Sequence, residues 1–105
     1  MNKILIIDDD KELCALMKKC IEQENLIALI ANGGIEGLRL LKENNEAYSL
    51  VILDIMMPDL DGFRVLQQVR QTSNVPVLML TAKSGEDIKS GNSNCRVLEA
   101  AIEAA

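Results

Sequence analysis

Three apolar runs of strand length, each followed directly by a polar side chain, occur along this chain. They cover residues 4–7, 50–53 and 75–80, and a fourth apolar segment covers residues 26–30. Runs of this length without polar alternation are typical of strands that are buried on both faces, as in a parallel sheet. The pattern therefore predicts four parallel strands.

Between these strands, apolar residues recur at intervals of three and four, which is the spacing of one helix face. The three sets are Leu13, Leu16, Met17, Cys20 and Ile21; Ile35, Leu38 and Leu41; and Phe63, Val65, Leu66 and Val69. Asp10 is the expected N-cap of the first helix. Strands that alternate with helices imply right-handed crossovers, so we predict an α/β domain with a doubly wound parallel sheet in three α/β/α layers.

The residues that follow the strands supply the candidate chemistry. Asp8 and Asp9 follow the first strand. Asp54 ends the third strand and Thr81 ends the fourth. Because ligands bind beyond the carboxyl ends of parallel strands, we expect these four side chains to meet at one edge of the sheet. Three carboxylates without a histidine are poorly suited to acid–base catalysis, but they suit a hard divalent cation that offsets their mutual repulsion.

The composition limits the remaining choices. The chain has 105 residues, enough for one domain, and it is 49% hydrophobic and 26% charged, which is typical of a globular protein. Its formal net charge of −5 offers no basic stripe, so direct binding to nucleic acid is not expected. No apolar stretch is long enough to span a bilayer and no signal-peptide pattern is visible, so we expect a cytoplasmic protein without a membrane partner. The three cysteines form no CxxC pair, and we expect all of them to be reduced.

Three segments of the chain resemble a known family. They are residues 3–10 (KILIIDDD), residues 53–62 (LDIMMPDLDG) and residues 80–83 (LTAK). In order and spacing they are similar to the receiver domains of two-component response regulators, and the decapeptide is the most specific of the three. The resemblance covers about residues 3–88 and implies a flavodoxin-like fold.

The resemblance also implies a phosphoacceptor signalling domain that catalyses its own modification, rather than an enzyme with a separate substrate. In that family a sensor histidine kinase supplies a phosphoryl group, and Asp54 matches the aspartate that accepts it. The family's cofactor is Mg²⁺, which Asp9 would bind directly and Asp8 mainly through water. Asp54 and the backbone carbonyl of Met56 would complete the protein ligands. Thr81 matches the switch hydroxyl that hydrogen-bonds a phosphoryl oxygen after the transfer.

Other loop positions carry weaker implications. Ala82 matches the small residue that leaves room for the phosphoryl group. Pro58 and Gly62 resemble loop residues of the family, although both residue types shape turns in any protein. Asp59 and Asp61 are expected to be polar loop residues.

The end of the chain departs from the family pattern. Receivers carry a lysine followed by a proline after a fifth strand, but no proline follows Pro76 here. We therefore assign residues 89–105 as atypical, with the fifth strand missing or rearranged and residues 96–105 forming an alanine-rich terminal helix. A short fifth strand at residues 95–98 is the alternative. Lys83 is expected to be a solvated side chain rather than a replacement for the family's lysine.

These differences leave more than one functional hypothesis open. The first is a phosphoacceptor receiver, without an attached effector, in which Mg²⁺ binding survives. Its phosphorylation would be slow or absent, because one cationic contact to the phosphoryl group is missing. The alternative is a non-phosphorylated pseudo-receiver that binds a partner through its helical surface. A Mg²⁺-dependent aspartyl phosphatase is a weaker third, because that class has an aspartate two residues after its nucleophile and this chain has Met56.

The edge of the predicted sheet raises a further alternative. A sheet that ends at the fourth strand leaves that strand's backbone groups available for pairing. A homodimer, including one formed by swapping, is therefore open as a hypothesis.

Overall fold

The computed structural model of the protein describes residues 3–43 and 48–80. Over these residues strands and helices alternate strictly. The elements are β1 (Lys3–Ile7), α1 (Lys11–Gln23), β2 (Ile27–Ala31), α2 (Gly34–Glu43), β3 (Tyr48–Asp54), α3 (Gly62–Thr72) and β4 (Val77–Leu80). The predicted alternation is confirmed for the described part of the chain.

The four strands are parallel and lie in the order β2-β1-β3-β4. β1 lies inside the sheet, where Leu5 is paired with Leu29 of β2 and Val51 of β3. Residues 4–7 of β1 are at most 2% exposed, which explains why this run has no polar alternation. In the sheet, β2 lies on one side of β1 and β3 lies on the other side. The carboxyl ends of β1 and β3 therefore form the switch point at which open α/β sheets bind their ligands.

The helices cover both faces of the sheet. Successive strand residues point to opposite faces. On β1, Ile4 and Ile6 pack with the buried residues of α1, whereas Leu5 and Ile7 pack in the core that contains the buried residues of α2 and α3. The predicted doubly wound sheet and its three-layer arrangement are confirmed.

Three residues of the predicted helix faces are exposed. Leu16 of α1 is 36% exposed and Ile35 of α2 is 66% exposed, and Phe63 of α3 is the third. Phe63 was expected on the apolar face of α3 but is 59% exposed, whereas Val65 and Val69 are buried. Phe63 and Val65 are two positions apart, and residues at that spacing do not share a helix face.

The cysteines also differ from the expectation. Cys14 is a free, buried thiol. Cys20 is disulfide-bonded, so the prediction that all three cysteines are reduced is wrong for this residue. The absence of a CxxC pair does not show which cysteines that are distant in the sequence meet in space, which is why the prediction failed here.

Several predictions fall outside the described residues. They concern Thr81, Ala82, Lys83, the fate of the fifth strand and the terminal helix. No helix within residues 3–43 and 48–80 has the length and apolar character needed to cross a membrane.

Candidate functional site

Three aspartates meet at the carboxyl edge of the sheet. Asp8 directly follows β1, Asp54 is the last residue of β3, and the two strands are hydrogen-bonded neighbours. Asp8, Asp9 and Asp54 each offer one carboxylate oxygen, and these atoms all lie within 4.8 Å of one another. The structure therefore brings together the three carboxylates that the sequence placed at this edge, while Thr81 lies outside the described residues.

Asp8 is the least accessible member of the cluster. It is 2% exposed, and within the described residues it is the one charged side chain that is buried. Its Oδ1 accepts a hydrogen bond of 2.9 Å from the backbone N–H of Asp10. Burial raises the pKa of Asp8 to about 7, and the negative charge of Asp54 adds to the shift. Near neutral pH this carboxyl group is therefore only partly ionised. A nearby cation would favour the ionised form.

Asp54 is more accessible and is held by its own loop. Its Oδ1 accepts a hydrogen bond of 3.2 Å from the backbone N–H of Met56, and its side chain is half-buried. Burial raises the pKa of Asp54, while the Met56 N–H partly opposes the shift. Asp9, by contrast, is exposed. The cluster thus joins one buried, one half-buried and one exposed carboxylate, and it opens toward solvent on the Asp9 side.

Two polar side chains donate hydrogen bonds to the backbone carbonyl oxygen of Asp8. The Cys14 thiol on α1 donates a hydrogen bond of 3.4 Å to the Asp8 carbonyl oxygen, and the Asn32 side-chain Nδ2 donates to the same oxygen at 3.3 Å. Burial, and then the charges of the neighbouring aspartates, raise the pKa of Cys14 to about 12, so the thiol keeps its proton and remains a donor. The sequence pattern indicated a site role for neither residue, although the position of Asn32 directly after β2 places it at the same edge.

The two ends of the loop that connects β3 to α3 lie close together beside Asp54. The Gly62 N–H donates to the Ile55 carbonyl oxygen at 2.9 Å. A Cβ at Gly62 would collide with the Asp54 carbonyl oxygen and would lie 2.7 Å from the Ile55 Cα. Glycine is therefore required at this position by a close approach of two backbone segments.

Asp59 and Asp61, which were expected to be polar loop residues, both accept hydrogen bonds at the start of a helix. Asp61 is the N-cap of α3, where its Oδ1 accepts from the Arg64 N–H at 3.0 Å. The Asp59 side chain accepts from two backbone N–H groups at the start of α2. Motif spacing alone did not reveal the second contact, because its partners lie 24 and 25 residues away in the chain.

The donor set fits a small, hard divalent cation. Its members are carboxylate oxygens, one of them buried with a raised pKa, and the cluster contains no imidazole. Oxygen donors of this kind are the protein ligands that Mg²⁺ prefers. The residues present are therefore suited to bind such an ion.

Comparisons with known proteins agree with this geometry. The model of the family described as "Response regulator receiver domain" matches residues 4–97. A CpxR homolog of Haemophilus influenzae, described as a transcriptional regulatory protein, is 50% identical over 88 residues, which are 84% of this chain and 37% of that protein. The regulatory protein VanRc of Enterococcus gallinarum is 42% identical over 87 residues, covering 83% of this chain and 36% of that protein. The chain thus spans little more than a third of the length of these relatives.

Solved structures show the same fold. A response regulator receiver domain protein from Clostridium thermocellum superposes with a TM-score of 0.76 at 26% identity, covering 99% of this chain and 93% of that chain. The chemotaxis protein CheY4 of Vibrio cholerae gives a TM-score of 0.79 at 20% identity, covering 99% and 98% of the two chains, and supports the fold alone. Together with the family match over residues 4–97, these results identify the chain as a member of the response regulator receiver domain family.

Proposed function

We propose that this chain is a phosphoacceptor domain in which Asp54 takes a phosphoryl group from a sensor histidine kinase with the help of Mg²⁺. The observation that carries the proposal is the position of Asp54. Its carboxylate lies at the sheet's switch point, with an oxygen within 4.8 Å of oxygens of Asp8 and Asp9. A carboxylate in such a cluster can act as a nucleophile once a cation offsets the charge that surrounds it.

The proposed transfer is a single displacement at phosphorus. An Asp54 oxygen forms the new O–P bond while the P–N bond to the donor imidazole breaks, and the electron pair of that bond stays on the leaving nitrogen. The Met56 N–H donates a hydrogen bond of 3.2 Å to Asp54 Oδ1. This bond orients the nucleophilic carboxylate. When bound, Mg²⁺ would neutralise charge on the phosphoryl oxygens, which is the main requirement of phosphoryl transfer.

The proposed ligand roles follow the family pattern. In that pattern Asp9 would bind the ion directly and Asp8 mainly through water; in the structure Asp9 is exposed and Asp8 is buried. Asp54 and the carbonyl of Met56 complete the proposed set. Because the ion favours the charged forms of these carboxyl groups, its binding would offset the raised pKa values of Asp8 and Asp54.

The proposed consequence of phosphorylation is a change in partner binding. Thr81 is the proposed switch hydroxyl, on the strength of its position in the family motif. Relatives of this chain are described as transcriptional regulatory proteins, so we propose an effect on transcription as the output. The domain itself, with a formal net charge of −5, is not expected to contact nucleic acid directly.

The decisive experiment is the intact mass of the protein after incubation with Mg²⁺ and acetyl phosphate, with Asp54→Asn as the matched control. A gain of one phosphoryl group, about 80 Da, is expected in the wild type alone, because the variant lacks the nucleophilic carboxylate. We expect slow labelling, since the lysine that family members place near the phosphoryl group has no counterpart in the sequence motif.

A pseudo-receiver that binds partners without phosphorylation is the second candidate. It is favoured by the absence of a lysine–proline pair after Thr81 in the sequence. Folded wild-type protein that gains no mass while still binding Mg²⁺ would support this candidate over the first.

A further inference from the structure

The start of α2 lacks a capping side chain of its own. The Gly33 carbonyl oxygen accepts from the Gly37 N–H at 3.0 Å, which makes Gly33 the residue that precedes the helix. Glycine has no side chain with which to accept a hydrogen bond from the first turn. The free N–H groups of a helix start need an acceptor, which water or another part of the molecule can supply.

Asp59 supplies that acceptor from the loop between β3 and α3. Its Oδ1 accepts from the Gly34 N–H and its Oδ2 from the Ile35 N–H, both at 3.2 Å. Oδ1 also accepts from the Leu60 N–H at 2.9 Å within the loop. We call this set of contacts between Asp59 and the start of α2 the Asp59 clasp. Although burial opposes the charge, the bonds from Ile35, Gly34 and Leu60 lower the pKa of Asp59, so the clasp holds an ionised carboxylate.

The absence of a side chain at Gly33 makes room for the Asp59 clasp. A Cβ at Gly33 would lie 2.8 Å from Asp59 Oδ2 and 3.3 Å from Asp59 Cγ. Glycine at this position therefore leaves room for the carboxylate of Asp59, which occupies the space of a side chain. The Asp59 side chain is exposed and can move. A methyl group at Gly33 would therefore displace the Asp59 carboxylate without shifting the backbone.

The clasp acts on the segment that carries a proposed Mg²⁺ ligand. Asp59 lies three residues after Met56, and between them the Met57 side chain is buried in the core beneath α2 and α3. Met56 itself is 76% exposed, so its side chain contributes little to holding the loop. The hydrogen bonds from the Met56 N–H to Asp54 and from the Gly62 N–H to the Ile55 carbonyl hold the loop before the Met56 carbonyl, and the clasp holds it after that carbonyl.

We infer that Asp59 is a positioning residue for Mg²⁺ binding, which holds the Met56 carbonyl in place by fastening its loop to the start of α2. This inference rests on the proposed function, since it concerns the same ion. Asp59 does not touch the ion in this proposal. Groups that orient metal ligands in this way commonly change metal affinity when they are removed.

The test is a Mg²⁺ titration of ¹⁵N-labelled protein, in which the backbone amide signals of Ile55 and Met56 report binding. Asp59→Ala is expected to raise the dissociation constant by about 10-fold, the low end of the loss typical of groups that orient metal ligands. Asp59→Asn keeps one acceptor and should recover part of that loss. The rate of acetyl phosphate labelling at saturating Mg²⁺ should stay close to that of the wild type.

Two further variants separate positioning from charge and from general stability. Gly33→Ala keeps every charge but displaces the carboxylate, so it should weaken Mg²⁺ binding as Asp59→Ala does. Combining the two should add little, because both remove the same contact. Asp61→Asn removes a neighbouring charge while keeping a good N-cap, and it should leave the affinity unchanged.

The outcomes are distinct. Equal weakening by Asp61→Asn and Asp59→Asn would mean that Asp59 acts through its charge alone, which would overturn the inference. Unchanged affinity in folded Asp59→Ala or Gly33→Ala protein would overturn it as well. If the wild type shows no Mg²⁺-dependent shifts, the proposed function itself fails, and the inference fails with it.

Discussion

The two edges of the sheet bury polar groups in different ways. At the carboxyl edge, Asp8 is buried beside two further carboxylates and is hydrogen-bonded to the Asp10 N–H. At the amino edge, Tyr48 begins β3 and is 6% exposed, and within the described residues its buried hydroxyl has no hydrogen-bond partner. Burial of a polar group is common to both edges, but among the described residues the cluster of like charges that favours a counterion lies at the carboxyl edge.

The comparison shows which burial is informative about function. The ring of Tyr48 packs in the core beneath α2 and α3, so packing offsets the cost of its unpaired hydroxyl. A polar pocket of about 550 Å³ lies near it, lined by residues of the connection between α3 and β4 such as Asn74. The Asp8 carboxyl group gains no comparable stabilisation from packing. Its raised pKa shows that its ionised form is unfavourable at this buried position. Its burial is better explained by a ligand than by stability.

The tight backbone closure at the carboxyl edge gives the largest expected effect. Gly62→Ala should destabilise the protein by about 3 kcal/mol or more, because the added methyl group meets backbone atoms of Asp54 and Ile55 that cannot move without disturbing β3. The same change in an ordinary exposed helix would stabilise it by up to about 1 kcal/mol. The measurement is the free energy of unfolding in urea, followed by far-UV circular dichroism.

Gly33→Ala is the matched control for that experiment. The nearest neighbour of the added methyl group is the exposed end of Asp59 rather than backbone, so Gly33→Ala should cost only the capping hydrogen bonds of Asp59, about 1 kcal/mol. Comparable losses in both variants would contradict the assignment of Gly62 to a backbone contact.

The pH dependence of stability is the next largest expected effect. Folding raises the pKa of Asp8 from 3.8 to about 7, so the folded state holds its proton more tightly than the unfolded state does. The resulting stability is fully present below about pH 4 and is lost as the pH rises through 7. Without Mg²⁺, Asp8 should therefore make the protein less stable at pH 8 than at pH 5, by an amount on the order of a few kcal/mol.

Asp8→Asn tests the origin of this dependence. The variant should lose most of the decline between pH 5 and 8, because its amide does not titrate in this range. It should also bind Mg²⁺ about 10- to 100-fold more weakly. Urea unfolding at both pH values, with and without Mg²⁺, measures both effects. A wild-type protein whose stability rises steadily from pH 5 to 8 without Mg²⁺ would contradict the prediction.

Prediction from the sequence succeeded where local pattern and topology agree. Apolar runs located β1 and β3, and the rule for parallel sheets then placed Asp8, Asp9 and Asp54 at one edge. It failed where the deciding contact joins distant segments. Asp59 meets α2 across 25 residues. Such a contact depends on how packed elements meet, which periodicity does not encode. Phe63 is a different case, because its position two residues before Val65 already places it off the buried helix face.

Tyr48→Phe gives the smallest expected effect and tests the amino edge. Burial, and then the charge of Glu43, raise the pKa of Tyr48, which agrees with a hydroxyl that is poorly solvated. Removing an unsatisfied buried hydroxyl while keeping the ring should leave the free energy of unfolding unchanged or raise it by up to about 1 kcal/mol. Mg²⁺ affinity should be unaffected, since Tyr48 and Asp54 lie at opposite ends of β3. A loss of more than about 1 kcal/mol would mean that the hydroxyl has a hydrogen-bond partner in solution, and the contrast between the two edges would then disappear.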